Sequence, residues 1–294
     1  MPDGVAIATS PTLARDIVES VERLVARAAA VDGFSALNES ATLRLRHPRA
    51  AVVHRVATHQ GLLEGYAQVE SGPDHTTGAL VVEPGRRRRG VGSALVRAML
   101  TAAGPPLQLW AMGDTAAAQG LAAQAGLRRS RELLIMNRPL TELVAPPRVR
   151  PDRVIRTFMV GSDEEAWLAV NARAFAQHPE QGRMSRDDLD ERMAEPWFDP
   201  EGFLVAVQGQ AMVGFHWTKQ HPDHLGEVYV LGVDPNAGGR GLGKDLLAAG
   251  LAHLQHRGNT AVELYVEGDH AAAIGLYRRY GFALSSRDVM YAQV

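Results

Sequence analysis

The chain has 294 residues, which exceeds the usual size of one domain and predicts two domains of ordinary length. Its composition, 46% hydrophobic and 22% charged, is typical of a globular protein, and its formal net charge of -2 gives no general attraction to nucleic acid or anionic membranes. The absence of cysteine excludes a disulfide framework, a thiolate metal site and a cysteine nucleophile. No secretory signal and no long apolar run is recognisable, so we expect a cytoplasmic protein without membrane contact.

The predicted elements of the first half begin with a helix. Residues 13–30 place apolar side chains on one helical face, and Gly33 is positioned to end that helix. The strands AVVHRVA, GYAQVES and TGALVVEP follow and lead into a glycine-rich turn. After the turn we predict a helix at 92–103, the strand LQLWAM, an alanine-rich helix from Asp114 and the strand ELLIMNRPL.

The second half repeats this order. A helix at 163–176 and an extra, serine-capped helix at 185–195 precede the strands FLVAVQG, MVGFHWTKQ and GEVYVLGV. A second glycine-rich turn, a helix at 242–256, the strand VELYVEG, a helix at 270–279 and the strand DVMYAQV complete it. The order predicts two domains of the α/β (α+β) class, each with a mixed, mostly antiparallel sheet flanked by helices.

A proline-rich segment separates the two halves. Residues 143–151 read as a linker, which predicts domains at residues 1–146 and 147–294.

The glycine-rich turns are the clearest part of the repeat. Gly90 and Gly92 recur as Gly241 and Gly243, and each pair follows a V-x-P sequence and opens a helix. Glycine lets the backbone approach a ligand closely, and free amides at a helix N-terminus bind anionic oxygens. The sequence therefore predicts two phosphate sites. A Rossmann dinucleotide turn is the competing interpretation, but the strands before each turn read as antiparallel, which disfavours it.

The first turn also carries a family resemblance. Arg87-x-x-Gly90-x-Gly92 fits the signature (Q/R)-x-x-G-x-(G/A) of the GNAT superfamily of acetyl-CoA-dependent N-acetyltransferases, which both units resemble. The second turn departs at the first position, where Gly238 stands. The resemblance implies two tandem GNAT domains with acetyl-CoA as co-substrate and no metal. The coenzyme-binding residues that it implies are Leu80, Val81, Val82, Arg87, Arg88, Arg89, Gly90, Val91, Gly92, Leu231, Gly232, Val233, Gly238, Gly239, Arg240, Gly241, Leu242, Gly243, Lys244 and His270.

The two units differ at the positions expected to carry the reaction. Acetyl transfer needs a base for the amine and a donor for the departing thiolate; a thiol has a pKa of about 8.5 and a tyrosine hydroxyl one of about 10. The second unit offers Glu227, which would take the proton directly or through water, and Tyr277, which would protonate the CoA thiolate, whereas the matched positions of the first unit are Thr76 and Ala122. We therefore expect a catalytic second domain and a first domain that binds acetyl-CoA without using it, or only preserves the fold.

The second unit resembles one narrower GNAT family more closely. The strings NARAFAQHPEQG, GFHWTKQHPDH and LYVEGDHAAAIGLY are similar to enzymes that acetylate a cysteine joined to a glucosamine and inositol pseudodisaccharide. This resemblance implies a small-molecule thiol-amine substrate, with Glu39, at the end of the first helical region, reaching the same ligand. The implied substrate-binding residues are Glu39, Glu180, Lys219, Glu227 and Tyr265.

Two other functions stay open at this point. One is a GNAT enzyme acting on another amine, such as an aminoglycoside or a peptide N-terminus. The other is a non-catalytic acetyl-CoA sensor. The basic run Arg86–Arg89 lies inside the phosphate turn, so we expect no nucleic-acid partner, and we expect a monomer.

Several residues have ordinary structural interpretations. His216, His221 and His224 lack a recognised metal-ligand spacing, so we interpret them as structural or substrate-side residues. Trp197 and Phe198 read as core packing rather than as a stacking surface.

Overall fold

The computed structural model describes residues 4–101, 106–141, 147, 150–178, 181–237 and 241–293. The chain forms two compact units. Unit 1 comprises residues up to Leu134 together with 267–269 and 286–294, and unit 2 comprises Ile135–Val266 and His270–Ser285. In the described residues, no helix has the length and apolar character needed to cross a bilayer.

The described residues of unit 1 form four α-helices and the first strands. Its elements are β1 (Val5–Ser10), α1 (Arg15–Asp32), α2 (Glu39–Arg46), β2 (Val52–His59), β3 (Leu62–Ser71), β4 (Thr76–Val82), α3 (Val91–Leu100), β5 (Leu107–Ala111), α4 (Ala116–Gln124) and the start of β6 (Arg128–Pro139).

The unit 1 sheet is mixed and mostly antiparallel. Strands β1 to β4 pair antiparallel in chain order, and β4 pairs parallel with β5. The last strand of the chain, β12 (Ala283–Ala292), pairs antiparallel with β5. Residues 286–294 therefore group with unit 1, although the predicted boundary near residue 147 placed them in the second domain.

Helices cover both faces of the unit 1 sheet because each has an apolar stripe. Val91, Leu95 and Met99 of α3 pack with Ala67 on one face. On the other face the α1 residues Val21, Leu24 and Ala28, together with α2, pack against Tyr66 and Val81. This layering buries the sheet on both sides.

Unit 2 follows the same order. Its elements are the end of β6, β7 (Val154–Thr157), α5 (Glu164–Ala174), α6 (Arg186–Met193), β8 (Phe203–Gln208), β9 (Ala211–His221), β10 (Leu225–Val233), α7 (Leu242–His256), β11 (Ala261–Glu267) and α8 (Ala271–Arg279). Strands β7 to β10 pair antiparallel in chain order, and β10 pairs parallel with β11.

The unit 2 core is strongly aromatic on the α5 face. Trp167, Phe203, Phe215 and Trp217 are fully buried there, and the Phe203 and Trp217 rings stack with centroids 4.3 Å apart. The opposite face packs Ala206 and Val213 against Leu242 and Leu246 of α7. The predicted fold class, a mixed sheet flanked by helices in each unit, is thus confirmed.

The structure adds elements that the sequence patterns did not indicate. Strands β1 and β7 and helix α2 were not predicted, and α2 is capped by Asn38, whose side chain accepts from the Ala41 amide at 2.8 Å. Glu39 is therefore the first residue of a second helix and not the end of the first. The predicted serine cap is confirmed, because Ser185 and Asp188 form a capping box at the start of α6. Most of the predicted linker at 143–151 lies outside the described residues.

Candidate active site

The glycines that precede α3 and α7 adopt the same backbone conformation. Gly90, before α3, has φ 84° and ψ -1°, and Gly241, before α7, has φ 83° and ψ 0°. This left-handed conformation favours glycine over any residue with a Cβ. Among the described residues no side chain caps either helix, so amides of the first turn are left for a partner at the positive end of the helix dipole. Both helix starts therefore fit an anionic oxygen.

An ion pair fixes each turn to the first helix of its unit. Arg27 of α1 binds Glu83, and Arg173 of α5 binds Asp234. Glu83 and Asp234 are the middle residues of the two V-x-P sequences, so the clamp is part of the repeat. The Nη2 to Oδ2 distance in unit 2 is 2.7 Å. The clamp anchors the V-x-P segment that leads into each helix.

Arg87, the residue that completes the signature in the first turn, is bound within the protein. Its two terminal nitrogens donate to the Asp32 carboxylate at 2.6 and 2.7 Å, and its Nε donates to the Val82 carbonyl. The neighbouring Arg86 pairs with Glu64. The side chain of Arg87 therefore orders the turn, and a ligand would meet the backbone amides of the turn rather than this side chain.

The parallel strands beside each turn separate towards the turn. In unit 2 the parallel ladder between β10 and β11 covers Leu225 to Val228 of β10, although β10 continues to Val233. In unit 1 the pairing of β4 with β5 covers Thr76 to Gly78, although β4 continues beyond it. Among the described residues, the last part of β10 thus has a ladder with β9 on one side only. This opening can accept an extended ligand through backbone hydrogen bonds.

Gly232 in this opening is required by packing. A Cβ at this position would lie 2.7 Å from the Phe215 ring, closer than real Cβ contacts, and 3.1 Å from the Phe175 ring, which is tighter than most such contacts. The glycine therefore lets β10 lie directly on the aromatic core while its edge faces the opening.

Glu227 is held in a row of charged residues across three strands. Lys219 of β9 and Glu263 of β11 are its register partners. The Glu227 side chain is 9% exposed, and its Oε2 lies 2.6 Å from Nε2 of His221. The carboxylate thus has a fixed hydrogen-bond partner on one oxygen.

Glu263 lies beside this pair. Its carboxylate is 3.9 Å from His221 Nε2, and the Tyr265 hydroxyl donates a hydrogen bond to it. Burial, followed by repulsion from Glu227, raises the pKa of the Glu263 carboxyl above its usual value. His221, Glu227 and Glu263 would offer a divalent cation one ligand atom each within 4.8 Å, so the expected absence of a metal stays a prediction.

Lys219 is fixed over two aromatic rings. Its ammonium lies 4.4 Å from the Trp197 ring centre and 5.2 Å from that of Tyr229. The Tyr229 hydroxyl in turn accepts from Arg192 Nε at 2.9 Å. Trp197 also packs with the aromatic core, so it is a core residue, as predicted, and in addition supports Lys219.

Tyr277 lies on α8 with its ring packed against Phe282, 5.8 Å between centroids. It is 8% exposed, and burial raises the pKa of its hydroxyl to about 12. The hydroxyl therefore keeps its proton throughout the neutral range. Within the described part of the chain, Tyr277 makes no hydrogen bond or ring contact with Glu227.

The first unit lacks these groups at the matched positions. Thr76 begins β4 and is buried, and Ala122 is buried in α4. Glu39 belongs to unit 1, at the start of α2. Of the other predicted residues, Glu180 and 238–240 lie outside the described residues. His270 caps α8, where its Nδ1 accepts from the Ala273 amide.

The fully buried His216 has the structural role that was predicted for it. Its Nδ1 lies 2.8 Å from the Leu246 carbonyl oxygen, and burial lowers the pKa of the imidazole to about 4. The imidazole is therefore neutral near pH 7.

The comparisons with known proteins agree with this geometry. Residues 167–282 match the Acetyltransferase (GNAT) family. A GCN5-related N-acetyltransferase from Sphaerobacter thermophilus is 24% identical, with a TM-score of 0.73 over 100% of this chain and 96% of the other. A tandem GNAT protein from the clavulanic acid biosynthesis pathway is 19% identical, with a TM-score of 0.78 over 98% of each chain. The fold and the turns define an acetyltransferase of the GNAT class.

Relatives that match nearly the whole chain indicate a narrower family within this class. The mycothiol acetyltransferase of Thermomonospora curvata is 48% identical over 289 residues, 97% of each chain. That of Actinosynnema mirum is 47% identical, covering 93% of this chain and 95% of the relative. The chain belongs to the mycothiol acetyltransferase family.

Sequence reasoning missed two residues of the site, Arg192 and Glu263, and it missed the direct hydrogen bond between His221 and Glu227. His221 lies six positions before Glu227, across a hairpin, and alternation along β9 and β10 would have placed both on one face. Glu263 had no such local signal, because its position depends on the parallel pairing of β10 with β11.

Proposed function

We propose that this protein transfers the acetyl group of acetyl-CoA to the cysteinyl amine of desacetylmycothiol, giving mycothiol and CoA. The observation that carries this proposal is the 48% identity, over 97% of both chains, to a mycothiol acetyltransferase. The site in unit 2 supports it, because a carboxylate, a lysine and a tyrosine lie on neighbouring strands beside an uncapped helix start.

The coenzyme is proposed to lie along β10 and at the start of α7. The pyrophosphate would accept hydrogen bonds from amides at Gly241 to Lys244, together with the predicted residues 238–240. The thioester arm would pair with the free edge of Leu231 to Val233, where β11 has separated from β10. This arrangement would present the acetyl carbon beside the sheet face that carries Glu227.

Glu227 is proposed as the base. The amine arrives as an ammonium; one N–H bond breaks, and the proton goes to the Glu227 carboxylate and then to solvent. The neutral nitrogen attacks the thioester carbon, and the C–S bond breaks as the amide forms. As the amide forms, the nitrogen also loses a second proton. The CoA thiolate takes up one proton in return, so the transfer step is balanced. Tyr277 donates a hydrogen bond to the departing sulfur.

The substrate contacts are part of the same proposal. Lys219 and Tyr265 offer a cation and a hydroxyl on the strands that flank Glu227, a pattern suited to a ligand rich in hydroxyl groups. Roles for Glu39 and Glu180 stay predictions, as does the monomeric state. Unit 1 is proposed to bind acetyl-CoA without reacting, since Gly90 before α3 has the conformation of Gly241 before α7, while Thr76 and Ala122 carry no acid or base.

A competition assay tests the proposed substrate. The protein is given acetyl-CoA with desacetylmycothiol, an aminoglycoside and a peptide amine together, and the acetylated products are measured by mass spectrometry. We expect acetylated desacetylmycothiol to dominate. Preferential acetylation of another amine would replace the substrate assignment, and bound acetyl-CoA without turnover of any amine would indicate a sensor.

The variant Glu227→Gln tests the base. Because a positioned general base contributes about 10²- to 10⁴-fold, turnover should fall by that factor, most strongly at lower pH, where the amine is charged. Glu201→Gln, which changes an exposed carboxylate, is the matched control and should retain full turnover. An unaltered pH profile in Glu227→Gln would remove the proposed base.

A further inference from the structure

The ammonium of Lys219 contacts two aromatic rings. It lies 4.4 Å from the centre of the Trp197 ring and 5.2 Å from that of Tyr229, both within the range of a cation–π contact. The two rings also pack edge to face, with centroids 4.9 Å apart. A free lysine side chain samples many rotamers, and a ligand that has to fix such a side chain binds less tightly. The rings therefore restrict the ammonium before any substrate binds.

The Tyr229 ring is itself held at its hydroxyl by helix α6. The hydroxyl accepts a hydrogen bond from Arg192 Nε at 2.9 Å, and Arg192 Nη1 donates to the Asp188 carbonyl, one turn earlier on the helix, at 2.8 Å. Asp188 belongs to the capping box that begins α6. The contacts thus form one chain, from the start of α6 through Arg192 and Tyr229 to Lys219.

This aromatic support accompanies the reacting groups of unit 2. Lys219 on β9 and Glu227 on β10 are register partners, so their Cβ atoms lie about 5 Å apart on one face of the sheet. Lys219 is half-buried, so part of its side chain stays accessible to a ligand at the base. Tyr229 lies two residues after Glu227, whereas in unit 1 Gly78 lies two residues after Thr76. The matched position of unit 1 therefore has no ring.

We propose that Tyr229 and Arg192 are positioning residues that set the affinity for the acceptor. This inference rests on the proposed function. Arg192 fixes the Tyr229 hydroxyl, and the Tyr229 and Trp197 rings fix the Lys219 ammonium. Lys219 then donates hydrogen bonds to hydroxyl oxygens of the pseudodisaccharide, while the amine of the same substrate meets Glu227. Because such contacts hold the substrate equally before and during the transfer, their loss should raise the acceptor KM and leave kcat nearly unchanged.

The test is the acceptor KM of Tyr229 variants, measured with desacetylmycothiol at saturating acetyl-CoA. Tyr229→Leu keeps an apolar side chain against the core but removes the ring face, so the acceptor KM should rise by about fivefold or more. Its kcat and its KM for acetyl-CoA should stay within about twofold of the unmodified protein. Tyr229→Phe keeps the ring and loses the bond with Arg192, so the acceptor KM should rise by a smaller factor, about threefold.

A double-mutant cycle shows whether Tyr229 acts through Lys219. Lys219→Met alone should raise the acceptor KM at least as much as Tyr229→Leu, because it removes the ammonium itself. In the Lys219→Met background, Tyr229→Leu should cause no further rise, because the ring has no ammonium left to hold. A merely structural role of Tyr229 would instead add its full effect to that of Lys219→Met.

A second cycle tests Arg192. Arg192→Met should match Tyr229→Phe, and the double variant should be no worse than either single variant, since both remove the same hydrogen bond. These variants leave the Tyr229 ring in the core, so they decide the question even where Tyr229→Leu fails to fold. Arg186→Met removes an ion pair with Asp190 on the same helix; it is the matched control and should leave the acceptor KM unchanged.

Several results would overturn the inference. An acceptor KM in Tyr229→Leu within about twofold of the unmodified protein would mean that Lys219 needs no aromatic support. Additive losses in either cycle would mean that Tyr229 or Arg192 acts on another part of the molecule. Acetylation of desacetylmycothiol by the unmodified protein, with a defect in Glu227→Gln, would leave the proposed function intact in each case. Failure of the unmodified protein to acetylate desacetylmycothiol would reject the proposed function itself.

Discussion

Replacement of Tyr277 by phenylalanine examines how the departing thiolate is stabilised. Burial raises the pKa of the Tyr277 hydroxyl to about 12, whereas an ordinary thiol has a pKa of about 8.5. The two pKa values differ by about 3.5 units, and each unit corresponds to about 1.36 kcal/mol. Full transfer of the tyrosine proton to the thiolate would therefore cost roughly 5 kcal/mol. Tyr277 is thus expected to act as a hydrogen-bond donor that keeps its proton.

The expected loss follows from that role. Removing one donor aimed at a developing negative charge costs about 10²- to 10³-fold in kcat, so Tyr277→Phe should lose about this factor. The ring contact with Phe282 is retained, so the fold should persist. Because the raised pKa favours the neutral hydroxyl in the folded state, its contribution to stability is complete below the ordinary pKa of about 10 and is lost as the pH rises through 12.

The assay should follow the ultraviolet absorbance of the thioester, because the substrate itself carries a thiol that would react with thiol reagents. Tyr291→Phe removes a hydroxyl that donates to Asp114 in unit 1 and serves as the matched control, with unchanged kcat expected. A kcat for Tyr277→Phe within threefold of the unmodified protein would refute the donor role. A fall in wild-type kcat that tracks tyrosine ionisation well below pH 10 would contradict the raised pKa.

Two further predictions concern stability. Gly250→Ala places a Cβ into the fully buried His216 ring and should lower the free energy of unfolding by about 1–3 kcal/mol or more. Gly275→Ala, whose Cβ would meet only the Arg279 side chain at an ordinary contact distance of 3.7 Å, should be neutral or slightly stabilising, and equal thermal midpoints of the two variants would contradict this. Asp163→Asn should cost about 1–3 kcal/mol in urea denaturation at pH 7. The hydrogen bond from Arg156 lowers the pKa of Asp163 in the folded protein. The contribution of the Asp163 carboxylate to stability is therefore present above its ordinary pKa of about 3.9 and is lost as the pH falls through the lower folded value. A destabilisation by Asp163→Asn that persists in acid would argue against this ion pair.

Much of the fold could be predicted because its signals are local. The apolar face of α1, its end at Gly33 and the cap of α6 depend on residues within a turn or two of each other. The elements that were missed had weak local signals. Strand β7 has only four residues at the sheet edge, and α2 follows an asparagine cap in a stretch without a clear apolar face.

The candidate site, too, could be predicted from the sequence only in part. Glu227 and Tyr277 could be named from spacing and family resemblance, since each stands at a fixed distance from a glycine marker. The partners of these residues could not be named. Arg87 binds Asp32, 55 positions earlier, and any of several acidic residues would have satisfied the sequence pattern equally well.

The sequence by itself determined the duplicated turn, because the left-handed conformation at Gly90 and Gly241 is a property of the residue at that position. Only the tertiary structure decided which side chains surround the base. His221 and Glu263 reach Glu227 through the register of β9 and β11 on either side of β10. Strand alternation specifies which face a side chain occupies but not which strand lies beside it, because pairing partners are chosen by non-local packing.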